Sequence, residues 1–369
     1  MIRTPGLAIC VLATAAANAG AEPTFLSRQY PRCTNCHFSP TGGGLLTPYG
    51  RALSREELST SGRSSASREP GREHESLYGI FGDSLGGLAL GVDLRPSRLD
   101  VRGRGFSSTR NLLMNAELAA AARLGQWTVY AQIGRQPRGD DVRVRSFEHW
   151  VGYESDTGLG ARAGRFLPAY GIKLPDHTAL TRAALGLDND DQVYGLELSF
   201  NGSRHLVQVS LGPGRADSVD GGRAFTASGR WQLDLRPRVV LVASGLYRGA
   251  SDLDPASGAL GIALGTAPTP RLTLWTQADA RFRDGAGGDR AYTLLGELAL
   301  ELYRGIWLKA SPQLRTEFGD ASAGVFRVNL ALDLLPRTHW NVVVSYYHDR
   351  ERQSGITTKT LLAQLHLYL

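Results

Sequence analysis

Leu272-Thr273-Leu274-Trp275-Thr276-Gln277-Ala278-Asp279-Ala280-Arg281-Phe282-Arg283 sets the period on which most of this chain is read. Leu272, Leu274, Thr276, Ala278, Ala280 and Phe282 share one parity; Thr273, Trp275, Gln277, Asp279, Arg281 and Arg283 share the other. Successive side chains of a strand point to opposite faces, so this alternation makes one apolar and one polar face. An amphipathic helix would need apolar residues at i, i+3, i+4 and i+7. No segment shows a comparable run.

The same period recurs on both sides of this stretch. In 323–334, Phe326, Val328, Leu330, Leu332 and Leu334 oppose Val325, Arg327, Asn329 and Asp333. The chain ends with Leu361, Ala363, Leu365, Leu367 and Leu369 against Gln364, His366 and Tyr368. About seventeen such segments follow residue 85, the first two being 85–94 and 97–105. A short segment at 76–82 would supply an eighteenth. Their connections alternate in length. Leu124-Gly125, Arg236-Pro237 and Tyr303-Arg304 are tight, whereas 136–141, 213–223, 249–257, 284–290 and 349–357 are longer and rich in Gly, Asp and Ser. Trp127, Trp231, Trp340 and Tyr368 lie near segment ends, where an aromatic girdle belongs. The expectation is an all-β fold, a transmembrane outer-membrane β-barrel of 16–18 antiparallel strands. A soluble sandwich or propeller would fill its inward parity with large apolar side chains. Here that parity carries Arg, Glu, Asp, Gln and Lys repeatedly, which a water-lined lumen tolerates and a dry core does not.

Composition agrees with this. The chain has 369 residues, 42% of them hydrophobic. Beyond the first 20 residues there is no apolar run of the ~18 residues that a membrane helix needs, which excludes a polytopic helical protein but not a barrel. The formal net charge of +6 arises from cations scattered among acids, so nucleic-acid binding is not expected.

Residues 1–19 read as a signal peptide, with Arg3, the apolar run 7–17 and a small-x-small end at Ala17-Asn18-Ala19. Residues 20–58 hold a cysteine motif and the turn Pro40-Thr41-Gly42-Gly43-Gly44. Residues 59–75 are a polar linker and 76–369 the barrel.

The motif is Cys33-Thr34-Asn35-Cys36-His37, the C-x-x-C-H attachment sequence of haem c. Two thiols must reach the two vinyl groups of one porphyrin, and the next residue must offer an imidazole to the iron. Cys33 and Cys36 are therefore expected to form the thioethers, with His37 as proximal axial ligand of one haem c. A redox dithiol would sit near a βαβ pattern, and a zinc site would need further ligands at suitable spacing; neither is present. A segment this short cannot cover a haem alone, so it is expected to act as a plug or cap that borrows a wall from the barrel. The distal position stays open. His177 lies in the Pro/Gly-shaped stretch 165–182, His74 just precedes the barrel, and His149 sits on a strand that could face the lumen. An ordinary loop role for His177 and a five-coordinate iron are the alternatives. Met114 shares parity with Leu112, Ala116 and Leu118 and is expected to face lipid.

Arg28-Gln29-Tyr30-Pro31-Arg32-Cys33-Thr34-Asn35-Cys36-His37, then Leu46-Thr47-Pro48-Tyr49-Gly50-Arg51, then a barrel, resembles the fused outer-membrane monohaem cytochrome–porins known from iron-oxidising bacteria. The likeness is specific over about 25–52 and architectural beyond. Gly42-Gly43-Gly44 is an insertion relative to that pattern, and the barrel is shorter than the family's. The resemblance implies a non-enzymatic electron conduit in the outer membrane. Electrons would pass between an extracellular donor or acceptor, such as iron, and a periplasmic c-type cytochrome or other carrier, with the haem segment on the periplasmic side or inside the lumen. A porin-like solute channel with a structural or regulatory haem is the alternative. A peroxidase-like activity at an open iron is a third reading. Among soluble-enzyme patterns, neither a Ser/His/Asp set nor a phosphate loop is apparent.

Overall fold

The computed structural model describes residues 24–30, 32–61, 75–76, 81–82, 87–135, 144–176, 178–187, 191–215, 224–251, 254–284 and 289–368. The signal segment 1–19, most of the 59–75 linker, His74 and His177 lie outside the described residues.

A 3₁₀ turn (Thr24–Arg28), α1 (Cys33–Cys36), α2 (Pro48–Leu53) and a π turn (Ser54–Leu58) come first. The strands are β1 (Glu75–Ser76), β2 (Phe81–Gly82), β3 (Leu88–Gly103), β4 (Phe106–Leu124), β5 (Trp127–Arg135), β6 (Arg145–Glu154), β7 (Leu159–Phe166), β8 (Val193–Asn201) and β9 (His205–Arg215). They continue as β10 (Thr226–Arg236), β11 (Val239–Arg248), β12 (Ser257–Thr269), β13 (Leu272–Arg283), β14 (Asp289–Tyr303), β15 (Ile306–Glu317), β16 (Asp320–Arg337), β17 (Trp340–Glu351) and β18 (Thr357–Tyr368). A short helix, α3 (Leu180–Leu185), lies between β7 and β8.

β3 to β18 form a closed sixteen-stranded antiparallel barrel in which each strand pairs with its sequence neighbour and β18 returns to β3. Closure leaves no unpaired edge, as a strand surrounded by lipid requires. The alternation read from 272–283 sorts the side chains: Trp275, Gln277, Asp279 and Arg281 are buried inside, while Phe282 and its outward neighbours are exposed. Leu118, Leu260 and Ile262, 61%, 64% and 56% exposed, belong to an outward apolar band. Exposing that much aliphatic surface to water would cost about 25 cal/mol per Å², so the band suits lipid.

Four expectations are corrected. Segments 85–94 and 97–105 are one strand, the 16-residue β3. The apparent break is a bulge at Leu94/Pro96, where a residue without an N–H is tolerated inside a ladder. Among the described residues, the segment at 76–82 contributes to the two-residue ladder of β1 with β2, outside the barrel. Sixteen replaces the count of seventeen for these reasons. The same bulge flips the parity of β4, so Met114 Sδ accepts a hydrogen bond at 3.3 Å from Gln364, on the polar face, instead of facing lipid. Tyr368 also turns inward, its hydroxyl 2.9 Å from Ser54 Oγ, and so is not part of a girdle. Trp127, Trp231 and Trp340 do remain on the outside near the tight-turn ends.

Candidate functional site

The N-terminal segment lies inside the tight-turn mouth and is bonded to the wall around its circumference. Leu26, fully buried, packs with Val240, Val242, Ala263, Ala267 and Trp275 of β11, β12 and β13. Arg28 Nη2 meets Glu301 of β14 at 2.5 Å, and Arg32 Nη2 meets Asp234 of β10 at 2.8 Å. Ser39 Oγ donates to Glu148 of β6 at 2.9 Å. Arg51 Nη2 donates to the Leu90 carbonyl of β3 at 2.6 Å. Thr60 donates both its amide, to Leu335, and its hydroxyl, to Arg304. At Gly305 (φ +72°) a Cβ would come within 2.9 Å of Thr60 N, Leu58 O and Leu335 O, so this tight turn is closed directly onto the segment.

A second element descends from the long-loop side. Its described residues 167–176 and 178–187 fold into the lumen and not over it. Tyr170 donates to Asp279 at 2.9 Å, the Gly171 amide to Ser244 at 2.9 Å and the Leu180 amide to Gln313 at 2.7 Å. Arg248 donates to the carbonyls of Leu185 and Gly186 at 2.7 and 2.6 Å, satisfying the end of α3. The loop and the N-terminal segment touch where Lys173 Nζ donates to the Gly42 carbonyl. The two elements thus meet inside the barrel.

The C-x-x-C-H residues sit in this plug. Cys33 and Cys36 are the ends of α1, neither is in a disulfide, and the His37 amide donates to the Cys33 carbonyl at 2.9 Å. His37 pairs with Leu46 in an antiparallel bridge, and the Thr47 amide donates to the Cys36 carbonyl at 2.8 Å. Thr47 Oγ1 donates to the Asn35 carbonyl at 3.0 Å and caps α2 by accepting from the Gly50 amide at 3.1 Å. The stretch 46–51 thus folds back as a clasp on the cysteine turn. Burial, with the Lys173 cation second, pushes the His37 imidazole down to about 4, although the Gly44 and Gly43 backbone favours the protonated form. The ring is therefore neutral at ordinary pH, the state in which a histidine can ligate a metal. Its Nδ1 is buried without a hydrogen-bond partner.

Cys33 borders a small cavity of about 50 Å³. The walls come from Pro40 and Thr41, the loop 167–173, α3 with Leu187, and β9, β10 and β13. Cys36 borders a different patch, packing against Leu53, Leu58 and Trp307 with Phe25 and Tyr30.

The other histidines divide as follows. His149 lies on the outward parity of Val151, opposite the lumen-facing Glu148 and Trp150, and bonds Ser146 at 2.7 Å. It does not face the lumen. His366 does, 3.2 Å from Asp93. Nothing in the sequence singled out the anchors Arg28 and Arg32 or the cavity cations Lys173 and Arg230. Their signal was only that each is a cation on, or folded against, the polar parity.

No family model and no curated protein matches the chain. Solved structures do. The outer membrane channel DcaP of Acinetobacter baumannii superposes with a TM-score of 0.57 at 12% identity over 77% of this chain and 99% of its own. OprB of Pseudomonas putida gives 0.60 at 9% identity over 77% and 94%. An anion-selective porin from Comamonas acidovorans gives 0.57 at 12% identity over 76% and 99%. The fold is that of the outer-membrane porins.

Proposed function

We propose that the chain is an outer-membrane protein carrying one haem c, and that it passes electrons between an external donor or acceptor and periplasmic carriers. The observation that carries this reading is the position of the C-x-x-C-H turn, held inside the mouth of a closed barrel by bonds to strands around the ring. Two features suit a covalently held porphyrin: two cysteines one helical turn apart, and a neutral buried imidazole with an orphaned nitrogen beside them. Cys33 and Cys36 would hold the group and His37 would ligate its iron. The bound group supplies one-electron chemistry.

The rest is the work of the chain. The clasp 46–51 fixes the cysteine turn, and the Lys173–Gly42 contact ties the inward loop to it across the lumen, which supports a closed path for solutes. Tight turns face the periplasm in barrels of this kind, which supports a plug on that side, where a soluble cytochrome would reach it. An external ion such as iron is the kind of donor that would approach from the long loops.

The likeness to channels and porins favours a second reading, a solute channel with a structural haem. Planar-bilayer recording and intact-cell redox chemistry separate the two. Electron transfer predicts a haem-staining band in the outer membrane, redox-active toward a membrane-impermeant reagent, and negligible steady conductance. Open-channel conductance with haem that no impermeant reagent reaches would favour the second.

A further inference from the structure

On its outer face the barrel wall carries two cations side by side. Arg102 of β3 stands directly opposite Lys359 of β18 in the ladder, with His348 of β17 next in the row. Leu361, 45% exposed, shares the parity of Lys359, while the buried Ser97 and Leu362 take the other, so Arg102 and Lys359 point away from the lumen. Facing residues of this kind have Cβ atoms about 5 Å apart, and like charges placed there are destabilising. Among the described residues neither cation has an ion pair or a hydrogen bond. The carboxylates at this end of β3 and β17 are engaged. Asp100 accepts from Arg98 at 3.4 Å and from Thr109, Asp349 pairs with Arg327 at 2.6 Å, and Glu351, flanked by Arg350 and Arg352, accepts from Ser354 at 2.6 Å. An open groove of about 540 Å³ runs between the β3–β4 and β17–β18 hairpins, bordered by Arg102, Arg104 and Lys359.

Height decides what meets these cations. β4 runs from this end of the barrel to the tight Leu124-Gly125 turn, so the groove lies on the long-loop side, which faces outward in barrels of this kind. Leu90, 50% exposed, is on the outer face of β3 near its tight-turn end, and Arg102 is twelve residues further along the same strand. At about 3.3 Å per residue and a tilt of about 40°, Arg102 stands about 30 Å above Leu90, past an apolar band about 25 Å tall. The groove therefore opens at the level of the outer-leaflet headgroups, with the outward-facing Leu361, Tyr346 and Leu113 as apolar wall beneath it. We infer that Arg102 and Lys359 form a site for a phosphate monoester, carried by a glycolipid of the outer leaflet whose acyl chains lie along that wall. A phosphate between the two cations removes their repulsion, and the guanidinium offers it two parallel N–H donors. The continuity of polar groove and apolar wall favours a lipid-borne phosphate over a free one. The site needs only the barrel and its orientation, and stands whether or not a haem is attached.

The test is native mass spectrometry of the purified protein in detergent, titrated with bisphosphorylated lipid A, with the same lipid stripped of its phosphates, and with inorganic phosphate. The site predicts one tightly held lipid A in the parent, with affinity lower by about fivefold in Arg102→Gln and in Lys359→Gln and by about thirtyfold in the double variant. Arg271→Gln, which removes an exposed cation at the tight-turn end, should match the parent, and the phosphate-free lipid should not be retained. In the unsubstituted protein, phosphorus NMR should show a lipid A phosphate shifted from its position in protein-free micelles, a readout that needs no variant to fold. Unchanged affinity in the double variant, equal retention of the phosphate-free lipid, or an unshifted phosphate resonance overturns the site. Displacement of lipid A by millimolar inorganic phosphate assigns the cations to a free anion and overturns the lipid-borne ligand.

Discussion

Arg32, the residue immediately before the cysteine turn, forms a 2.8 Å ion pair with Asp234 near the tight-turn end of β10. Its side chain is 9% exposed and that of Asp234 16%. Arg32 also bonds Asn201 and Gly202 of the neighbouring β8–β9 turn. One guanidinium thus ties the plug to two adjacent turns. Removing one partner of such a buried pair costs about 3–5 kcal/mol because the other is left uncompensated. Arg32→Ala should loosen the plug while the barrel persists. Limited proteolysis should cut within 24–61 in the variant and not in the parent, and single-channel events should appear in planar bilayers.

Gly50 lies against Cys36. A Cβ there would sit 3.0 Å from both the Cα and the carbonyl carbon of Cys36, backbone that has no room to yield. Gly50→Ala should therefore push the clasp off the cysteine turn at a cost of about 1–3 kcal/mol. Haem attachment, read by in-gel haem staining against total protein, should fall several-fold, while Ala52→Gly in the same helix should leave it near the parent level.

Arg162 and Glu197 pair across β7 and β8 at 2.9 Å with side chains 3% and 2% exposed, and the guanidinium lies 4.2 Å from the Phe166 ring centre. Glu197→Gln leaves a buried cation without its counter-charge and should destabilise the barrel by about 3–5 kcal/mol. Guanidinium unfolding in detergent, followed by the loss of heat-modifiable migration, measures it. Arg283→Gln, at a half-exposed pair with Asp289, should change stability by less than about 1 kcal/mol.

Much of this architecture was legible because the strand period is 2 and the lumen is polar. Gln277, Asp279 and Arg281 fell on one parity in the sequence and lie inside in the structure. The reading failed where a local device resets that period. The segments 85–94 and 97–105 were read as two, and the bulge between them both joins them as one strand and turns Met114 inward. The irregular stretch 165–182 was legible as shaped by its prolines and glycine, yet its contacts were not. Tyr170 meets Asp279 and Lys173 meets Gly42 across more than a hundred residues of chain, and no local pattern encodes such partners. The same holds for Arg32 with Asp234 and Ser39 with Glu148. Cys33, Cys36 and His37 were legible as a C-x-x-C-H spacing, and they lie together in the plug.

Cys33→Ala with Cys36→Ala should remove covalent haem without unfolding the barrel, because its strands close through backbone ladders that do not involve α1. Circular dichroism and heat-modifiability should match the parent, while mass spectrometry loses the mass of one haem and the visible absorption disappears.

The central claim is that electrons cross the bilayer through this chain. Liposomes enclosing a soluble c-type cytochrome and carrying the purified protein would be treated from outside with a membrane-impermeant reductant. The account predicts that the enclosed cytochrome is reduced in vesicles bearing the parent and stays oxidised in vesicles bearing the Cys33→Ala/Cys36→Ala variant. Equal reduction in both, or none in either while the parent's own haem is present, would contradict it.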